Sequence, residues 1–327
     1  MTKSKDLQTI AFVMPVLNEE KHLAGAVESI FEQKNLEKSE IEVVLALGPS
    51  TDNTNKVAEA LKSQYPVKIV PNPTGKTANG LNLAISATSA DIVVRVDAHS
   101  ELSPNYTDLA RQILNEKQAA NVGGVMKAVG FTPFQQAVAF AYNSRLGLGG
   151  GSYHVGGQAG PSDSVYLGVF RRKTLVELGA FDESLVRGQD WELNLRIRNS
   201  GQLVWFDPRL EVTYHPRSSL GKLTKQFFQT GKWRAWLTKA HPNKANLRYF
   251  APPALVIGVL AGLILVFTGF FGLLGLIPLA SYLAMLVMAA VFAKGLSIWA
   301  RLSLFLALPA MHFSWGSGFL AGLLSKR

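Results

Sequence analysis

No acidic residue follows Glu211 in this chain of 327, and that asymmetry divides what the chain can become. Residues 1–211 hold all 23 Asp and Glu against 21 Lys and Arg, whereas residues 212–327 hold 12 Lys and Arg and no acid. The formal net charge of +10 thus belongs to the C-terminal third, so no nucleic-acid partner is expected from it. That third is also apolar: 249–293 is uncharged for 45 positions and 302–325 for 24. A bilayer core takes roughly 20 apolar residues per helix. Transmembrane helices are therefore expected at 254–273, 276–293 and 302–325, the first two forming a hairpin broken near Gly272, Gly275 and Pro278. Three full spans would leave Lys326 and Arg327 on the far side. The last segment, with Pro309 and His312 inside it, is alternatively re-entrant or interfacial.

Between Arg217 and Arg248 eight basic residues are mixed with Phe227, Phe228, Trp233 and Trp236. Such a mixture suits a helix lying on anionic membrane lipids. The expected organisation is a catalytic region over 1–215, a basic interfacial segment over 216–250 and a membrane region over 251–327. Ile10 to Val16 is too short for a signal or spanning segment. The first region is therefore expected in the cytoplasm at an inner membrane, with Lys294 and Arg301 in a second cytoplasmic loop. There are no cysteines, which excludes disulfide and Cys-based metal or redox chemistry.

Residues 1–211 alternate strand-like and helix-like stretches. Thr9–Met14, Glu42–Leu47, Val67–Val70, Asp91–Val96 and Val122–Met126 read as strands. Lys21–Gln33, Asn55–Gln64, Thr77–Thr88 and Asn105–Glu116 read as helices. That spacing gives βαβ units and a doubly wound, mostly parallel sheet. A last strand is expected at Gln202–Phe206, ended by a turn at Asp207-Pro208. The glycine-rich stretch from Gly147 to Gly160 reads as a mobile loop, because no strand–helix pair frames it as a phosphate cradle.

Open α/β sheets bind ligands at the carboxyl ends of their strands. Four polar loops fall there: Pro15-Val16-Leu17-Asn18-Glu19-Glu20, Gly48-Pro49-Ser50-Thr51-Asp52, Asn72-Pro73-Thr74-Gly75-Lys76, and Asp97-Ala98-His99. Taken singly, Asp-x-His reads as a surface turn and Ser50 or Thr51 as a helix cap. Taken together they outline a nucleotide-sized site. Asp97 and His99 can grip one divalent cation, and imidazole suits Mn²⁺ better than Mg²⁺. With Lys76, that cation would neutralise a departing diphosphate. A hydroxyl attacking such a substrate must lose a proton, for which Asp190 is the candidate base and at the same time a candidate helix cap. A single base opposite the leaving group would invert the centre attacked. His215 reads either as a satisfied structural histidine or as a group closing over the diphosphate or the metal.

Pro15-Val16-Leu17-Asn18-Glu19, Gly48-Pro49-Ser50-Thr51-Asp52, Asp97-x-His99 and Arg187-Gly188-Gln189-Asp190-Trp191 resemble the ordered motifs of family 2 glycosyltransferases of the GT-A fold, over residues 8–235. With the apolar C-terminal segments, the likeness is to membrane-attached enzymes of succinoglycan-type exopolysaccharide assembly. The resemblance implies a nucleotide-sugar site at Pro15, Leu17, Asn18, Glu19, Asp52, Lys76 and Asp97, with a UDP-sugar as donor. It implies a divalent cation, Mn²⁺ or Mg²⁺, at Asp97, His99 and His215, and Asp190 as catalytic base. Arg187, Gln189, Trp191, Gln229, Trp233 and Arg234 would serve the acceptor or the diphosphate. Gln229 to Arg234 resembles the Gln-x-x-Arg-Trp box of processive synthases with Lys232 for Arg, and Lys lacks the bidentate fork. Three positions depart from the family: Leu47 stands where a base-contacting Asp is usual, His99 replaces a second Asp, and Gln189 replaces Glu. The function expected is an inverting, membrane-anchored glycosyltransferase acting on a hydroxyl of a lipid-linked acceptor. The alternatives are a polyprenyl-phosphate glycosyltransferase and a non-catalytic membrane scaffold.

Overall fold

A computed structural model describes residues 8–36, 41–268 and 272–325. Residues 269–271 of the first expected span, with Lys326 and Arg327, lie outside the described residues. The chain forms two compact units, one of residues 1–127 and 152–214 and one of residues 128–151 and 215–327.

The first unit is built on one sheet. In chain order it contains β1 (Ile10–Val16), α1 (Leu23–Phe31), β2 (Ile41–Leu47), α2 (Thr54–Gln64), β3 (Val67–Pro71), α3 (Thr77–Ser86), β4 (Ile92–Arg95), β5 (Ser100–Leu102), α4 (Tyr106–Glu116) and β6 (Asn121–Ala128). The chain then supplies α5 (Pro133–Tyr142) and α6 (Arg145–Leu148) to the second unit. It returns with α7 (Ser152–Val155), β7 (Gly160–Pro161), β8 (Tyr166–Arg171), α8 (Arg172–Glu177), α9 (Gln189–Asn199) and β9 (Val204–Tyr214). The strand order is β3-β2-β1-β4-β8-β6-β9-β5, with β7 on β9.

β1 to β4 pair parallel, with Val16 opposite Leu47 and Leu47 opposite Pro71, so their carboxyl ends share one edge. Both sides of β1, β2 and β4 are largely buried, which explains their mostly apolar runs, whereas β3, at the end of the sheet, is partly exposed. Phe12, Met14, Leu45 and Val94 pack with Leu23, Ile30, Tyr106 and Ile113 on one face. Val13, Val44 and Val93 pack with Leu81, Ile85, Leu193 and Ile197 on the other. The expected mostly parallel sheet is a mixed one. β8 inserts antiparallel to both β4 and β6. The crossover through α4 still makes β6 run in the direction of β4, but a strand arriving after the excursion through α5 and α6 fills the gap between them. The turn expected at Asp207-Pro208 is absent, because β9 continues to Tyr214. The buried Asp207 carboxylate accepts the N–H of Arg209 at 3.0 Å and its Nε and Nη2 at 2.9 and 2.8 Å, so the turn-forming side chain is satisfied within extended backbone.

The second unit comprises α5, α6, α10 (Leu220–Ala240), α11 (Ala251–Phe267), α12 (Ile277–Phe292) and α13 (Ile298–Leu324). Among the described residues, two segments are long and apolar enough to cross a membrane: 272–292, of 21 residues and mean hydropathy 2.2, and α13, of 27 residues and mean hydropathy 1.3. α11 is shorter, at 17 residues. α11 and α12 expose Ile257, Leu260, Ile264, Leu283, Val287 and Val291. α13 runs unbroken through Pro309. α10 buries Leu223, Phe227, Gly231 and Ala235, while Lys222 and Lys225 are exposed. Glycines permit the close approach of α10 to α13: a Cβ on Gly231 would strike the Trp315 carbonyl, and one on Gly318 the Phe228 carbonyl. Small residues at such crossings let helix backbones touch. Lys239 donates to the Gly322 carbonyl at 3.3 Å, and Trp236 Nε1 to Ser325 Oγ at 3.2 Å, closing the end of α13.

Gly318→Leu should overpack this crossing at a cost of about 1–3 kcal/mol or more. It is expected to lower the thermal midpoint of the detergent-solubilised protein by several degrees. Gly150→Ala, whose added Cβ meets nothing within 4 Å, should leave the midpoint unchanged.

Candidate active site

The residue that organises the sheet edge is Arg95, the last of β4 and only 4% exposed. Its Nε and Nη2 donate to Asp97 Oδ1 at 3.2 and 3.0 Å, and its Nη1 donates to Asp190 Oδ1. Its guanidinium also lies 5.9 Å from the centroid of the Phe181 ring. One buried cation therefore joins two carboxylates that are 93 positions apart in sequence. Burial opposes its charge, but Asp190 and Asp97 together raise its pKa.

The two carboxylates are driven in opposite directions. Burial pushes Asp97 up, but Arg95, His99 and Arg187 outweigh it and hold the group below the usual carboxylate range. Burial also pushes Asp190 up, and there the charge of Asp97 adds to it, so that Arg95 does not bring it back. Asp190 keeps 37% of its side-chain exposure, so water tempers the shift and a reactant can reach the group. Carboxylates pushed apart in this way are suited to different jobs.

Asp190 is the second residue of α9, which starts after Gly188 at φ +77°, a left-handed conformation that glycine takes without steric cost. The preceding segment is pinned to α3. Asn82 donates to the Phe181 carbonyl at 2.8 Å and to Glu183 Oε1 at 3.0 Å, and Asn79 bonds the other oxygen of Glu183. Gln189 is buried, while Arg187 and Trp191 are half-buried.

His99 sits two residues beyond Asp97, with its Nδ1 2.9 Å from Glu19 Oε1 and its ring edge-on to Tyr214 at 5.5 Å. A carboxylate can only accept here, so Nδ1 donates, and in the neutral ring Nε2 is the nitrogen that bears the lone pair. This is the arrangement that orients metal-bound histidines. Arg95 uses Asp97 Oδ1, which leaves Oδ2. An ionised carboxylate oxygen and an oriented imidazole nitrogen fit a divalent cation that takes its remaining ligands from a diphosphate. Among the described residues, no three His, Asp or Glu side chains converge on one point.

The first two loops are bonded mainly to each other. Asn18, at φ +56°, donates its N–H to Ser50 Oγ at 3.0 Å and accepts from the Thr51 N–H at 2.8 Å. Glu19 N–H donates to Thr54 Oγ1 at 2.7 Å, and Glu20 N–H to Asp52 Oδ2 at 3.4 Å. Asp52 Oδ1 accepts the N–H of Thr54 at 3.0 Å and its hydroxyl at 2.5 Å, and the Thr54 hydroxyl leads the causes that lower the pKa of Asp52. Leu17 spans this loop pair and the third loop. Cβ atoms added to Gly48 and Gly75 would lie 3.0 and 3.3 Å from its methyls. Pro15 is in β1, and Lys76 is exposed at the start of α3.

The remaining expected site residues belong to the second unit. His215 lies with its Nδ1 3.3 Å from the Val129 carbonyl and its ring stacked on Phe131 at 5.0 Å. Gln229, Trp233 and Arg234 are half-buried on α10. Trp233 packs edge-on to Trp236 at 4.8 Å, and Arg234 stacks on Tyr249 with its guanidinium carbon 4.4 Å from the centroid. Arg95 and the orienting contact of Glu19 were not anticipated. The available signal was a charged residue interrupting the apolar run Ile92–Val96, two positions before a carboxylate.

The mixed α/β sheet of the first unit has the architecture of GT-A glycosyltransferases. Residues 11–171 match the model for Glycosyl transferase family 2, and the chain carries a domain of that family. It is 28% identical over 326 residues to the succinoglycan biosynthesis protein ExoA of Rhizobium meliloti (strain 1021), covering 96% of this chain and 95% of the relative. It is 27% identical to a dolichyl N-acetyl-alpha-D-glucosaminyl phosphate 3-beta-D-2,3-diacetamido-2,3-dideoxy-beta-D-glucuronosyltransferase of Methanococcus voltae, over 68% of this chain and 71% of the relative. In fold it is similar to the mannosyltransferase PcManGT of Pyrobaculum calidifontis, solved with GDP-Man and Mn²⁺. That match has a TM-score of 0.59 and 20% identity, over 98% of this chain and 88% of the other.

Proposed function

We propose that this glycosyltransferase is inverting and membrane-anchored, and moves a sugar from a nucleotide-sugar, a UDP-sugar, to a hydroxyl of a lipid-linked saccharide. The product would be an exopolysaccharide or cell-envelope glycan assembled at the cytoplasmic face of the inner membrane. The observation that carries this reading is the Arg95 fork. It keeps Asp97 ionised at the strand end where a diphosphate would lie, and it meets Asp190, which burial and the charge of Asp97 leave more basic and so suited to an acceptor hydroxyl.

The proposed division of roles follows from these contacts. The loops of Pro15, Leu17, Asn18, Glu19 and Asp52 frame the nucleoside, and Lys76 faces the diphosphate. Asp97 Oδ2 and His99 Nε2 would hold a divalent cation; when bound, the cation would neutralise charge developing on the leaving nucleoside diphosphate. Asp190 Oδ2 takes the proton of the acceptor hydroxyl as its oxygen bonds to the anomeric carbon. The bond from that carbon to the diphosphate breaks on the opposite side, which inverts the centre. Arg187, Gln189 and Trp191 border Asp190 in sequence and would orient the acceptor, while Gln229, Trp233 and Arg234 would serve its carrier. A hydroxyl acceptor is favoured over a polyprenyl phosphate, because a phosphate is already an anion and needs no base. The name of the Methanococcus voltae relative specifies a sugar carried on dolichyl phosphate, which supports a lipid-linked acceptor. The exposed apolar faces of α11 and α12 support the anchor.

Asp190→Asn keeps the shape and removes the proton acceptor, so kcat should fall by about 10²–10⁴ with little change in donor affinity. Because the pKa of Asp190 is raised, wild-type kcat should decline on acidification at a pH above that of an ordinary aspartate, and this limb should vanish in the variant. A near-normal rate for Asp190→Asn would transfer the reaction to another base or to a phosphate acceptor.

EDTA should abolish transfer and Mn²⁺ restore it, with Asp97→Ala inactive in every metal. Glu19→Gln, which loosens His99, should weaken activation by Mn²⁺ about 10–100-fold. Full activity in EDTA would remove the cation from the reaction.

A further inference from the structure

β8 breaks the alternation that a strand imposes on its side chains. Its neighbour β6 pairs Val122 with Val169 and Gly124 with Tyr166, so two steps along β6 are matched by three along β8. The additional residue is a bulge in β8, and Leu167 within it has φ +42°, a left-handed conformation that strains a bulky side chain. Bulges of this kind re-aim a side chain. In an unbroken strand Tyr166 would share the face of Phe170. Instead it packs on the same core as Leu167 and Val169, while Phe170 packs on the opposite face. Gly123 makes room for the detour: an added Cβ would lie 2.7 Å from the Tyr166 carbonyl.

The re-aimed phenol meets the turn that follows β4. Its Oη lies 3.1 Å from the Oγ of Ser100, a residue with no exposure. Ser100 closes that turn: its N–H donates to the Asp97 carbonyl at 2.9 Å, and as the first residue of β5 it pairs with Tyr214 of β9. The ring of Tyr166 stands edge-on to Tyr214 at 6.4 Å, and Tyr214 stands edge-on to His99 at 5.5 Å. The hydroxyl thus holds one end of the segment Asp97–Ser100, and the ring backs, through Tyr214, the imidazole within it. Burial, and after it the charge of Asp97, push the pKa of Tyr166 well above the usual tyrosine range, so the phenol remains a neutral hydrogen-bonding group.

We propose that Tyr166 is a positioning residue of the donor site: through Ser100, and through the ring of Tyr214, it sets the direction in which Asp97 Oδ2 and His99 Nε2 are presented to a divalent cation. This rests on the cation reading of the preceding section and adds the residue that holds the two ligands in register. Partners that orient metal ligands change metal affinity about 10–100-fold. Tyr166 takes no part in proton transfer.

The full-length protein in neutral detergent, with UDP and GDP present, can be titrated with Mn²⁺, the bound ion being read from the loss of the free-ion electron paramagnetic resonance signal. Asp97→Ala identifies the portion bound at this site. Tyr166→Phe keeps the ring and deletes the hydroxyl, and should weaken Mn²⁺ binding about tenfold. Ser100→Ala should do the same, and the double variant should be no weaker than either single one, because all three delete one contact. In turnover, both single variants should need more Mn²⁺ for half-maximal rate yet approach the wild-type kcat at saturating Mn²⁺, with the acidic limb assigned to Asp190 unmoved. Unchanged Mn²⁺ affinity in either single variant would make the contact a structural one, whatever happens to the thermal midpoint, and would overturn the proposal while the cation reading stands. Losses that multiply in the double variant would mean that the two hydroxyls act separately, which also overturns it. A wild-type protein with no Mn²⁺ binding that Asp97→Ala removes would overturn the cation reading and the proposal together.

Discussion

A single buried guanidinium, that of Arg95, holds the carboxyl edge of the sheet together. An arginine with 4% exposure at the end of a central strand bears a large desolvation cost, of several kcal/mol, that only good counter-charges offset. Asp97 and Asp190 are those counter-charges, and meeting them fixes the geometry on both sides. β4 must end where Asp97 can turn back on Arg95. α9 must begin where its second residue reaches the same fork, which requires the left-handed Gly188 and the tether of Phe181 and Glu183 to α3. The arrangement also separates the two carboxylates chemically: the cation lowers both, but burial and the charge of Asp97 leave Asp190 raised.

The two units divide the physical work. The first holds every acid of the chain and builds the loops at its strand ends by exchanging hydrogen bonds between neighbours, so that this edge is held in place by its own side chains. The second is apolar and basic, held by backbone contact at Gly231 and Gly318 and by lysine and tryptophan caps rather than by charge pairs. A surface without carboxylates and with exposed apolar helices suits an environment of lipid chains and phosphate groups.

Much of the first unit was legible because buried parallel strands must be apolar throughout. β1 to β4 fall within two residues of their expected ends, as do α2 to α4. Direction was not legible: an apolar run carries no sign, so nothing in Tyr166–Arg171 announced a strand inserted antiparallel between β4 and β6. Asp207-Pro208 was misread because a turn-forming pair can be satisfied in extended backbone when a following arginine closes on the aspartate. Arg95 was read as part of an apolar run, since its partner at 190 is invisible at strand or helix spacing. Asn18, Ser50 and Asp52 were legible as a polar edge, but not as side chains largely spent on one another. The glycines of α13 passed as part of a membrane stretch, because which helix they would meet is a tertiary fact.

The claim that Arg95 and Asp190 act as one unit is open to a kinetic double-mutant cycle. kcat is measured at saturating donor and metal for Arg95→Gln, Asp190→Asn and the pair. If Arg95 serves catalysis by holding and tuning Asp190, the double variant should be no slower than Asp190→Asn alone, with any further loss confined to donor and metal affinity through Asp97. A double variant whose loss in kcat is the product of the two single losses would mean that the residues act independently, and would contradict the account.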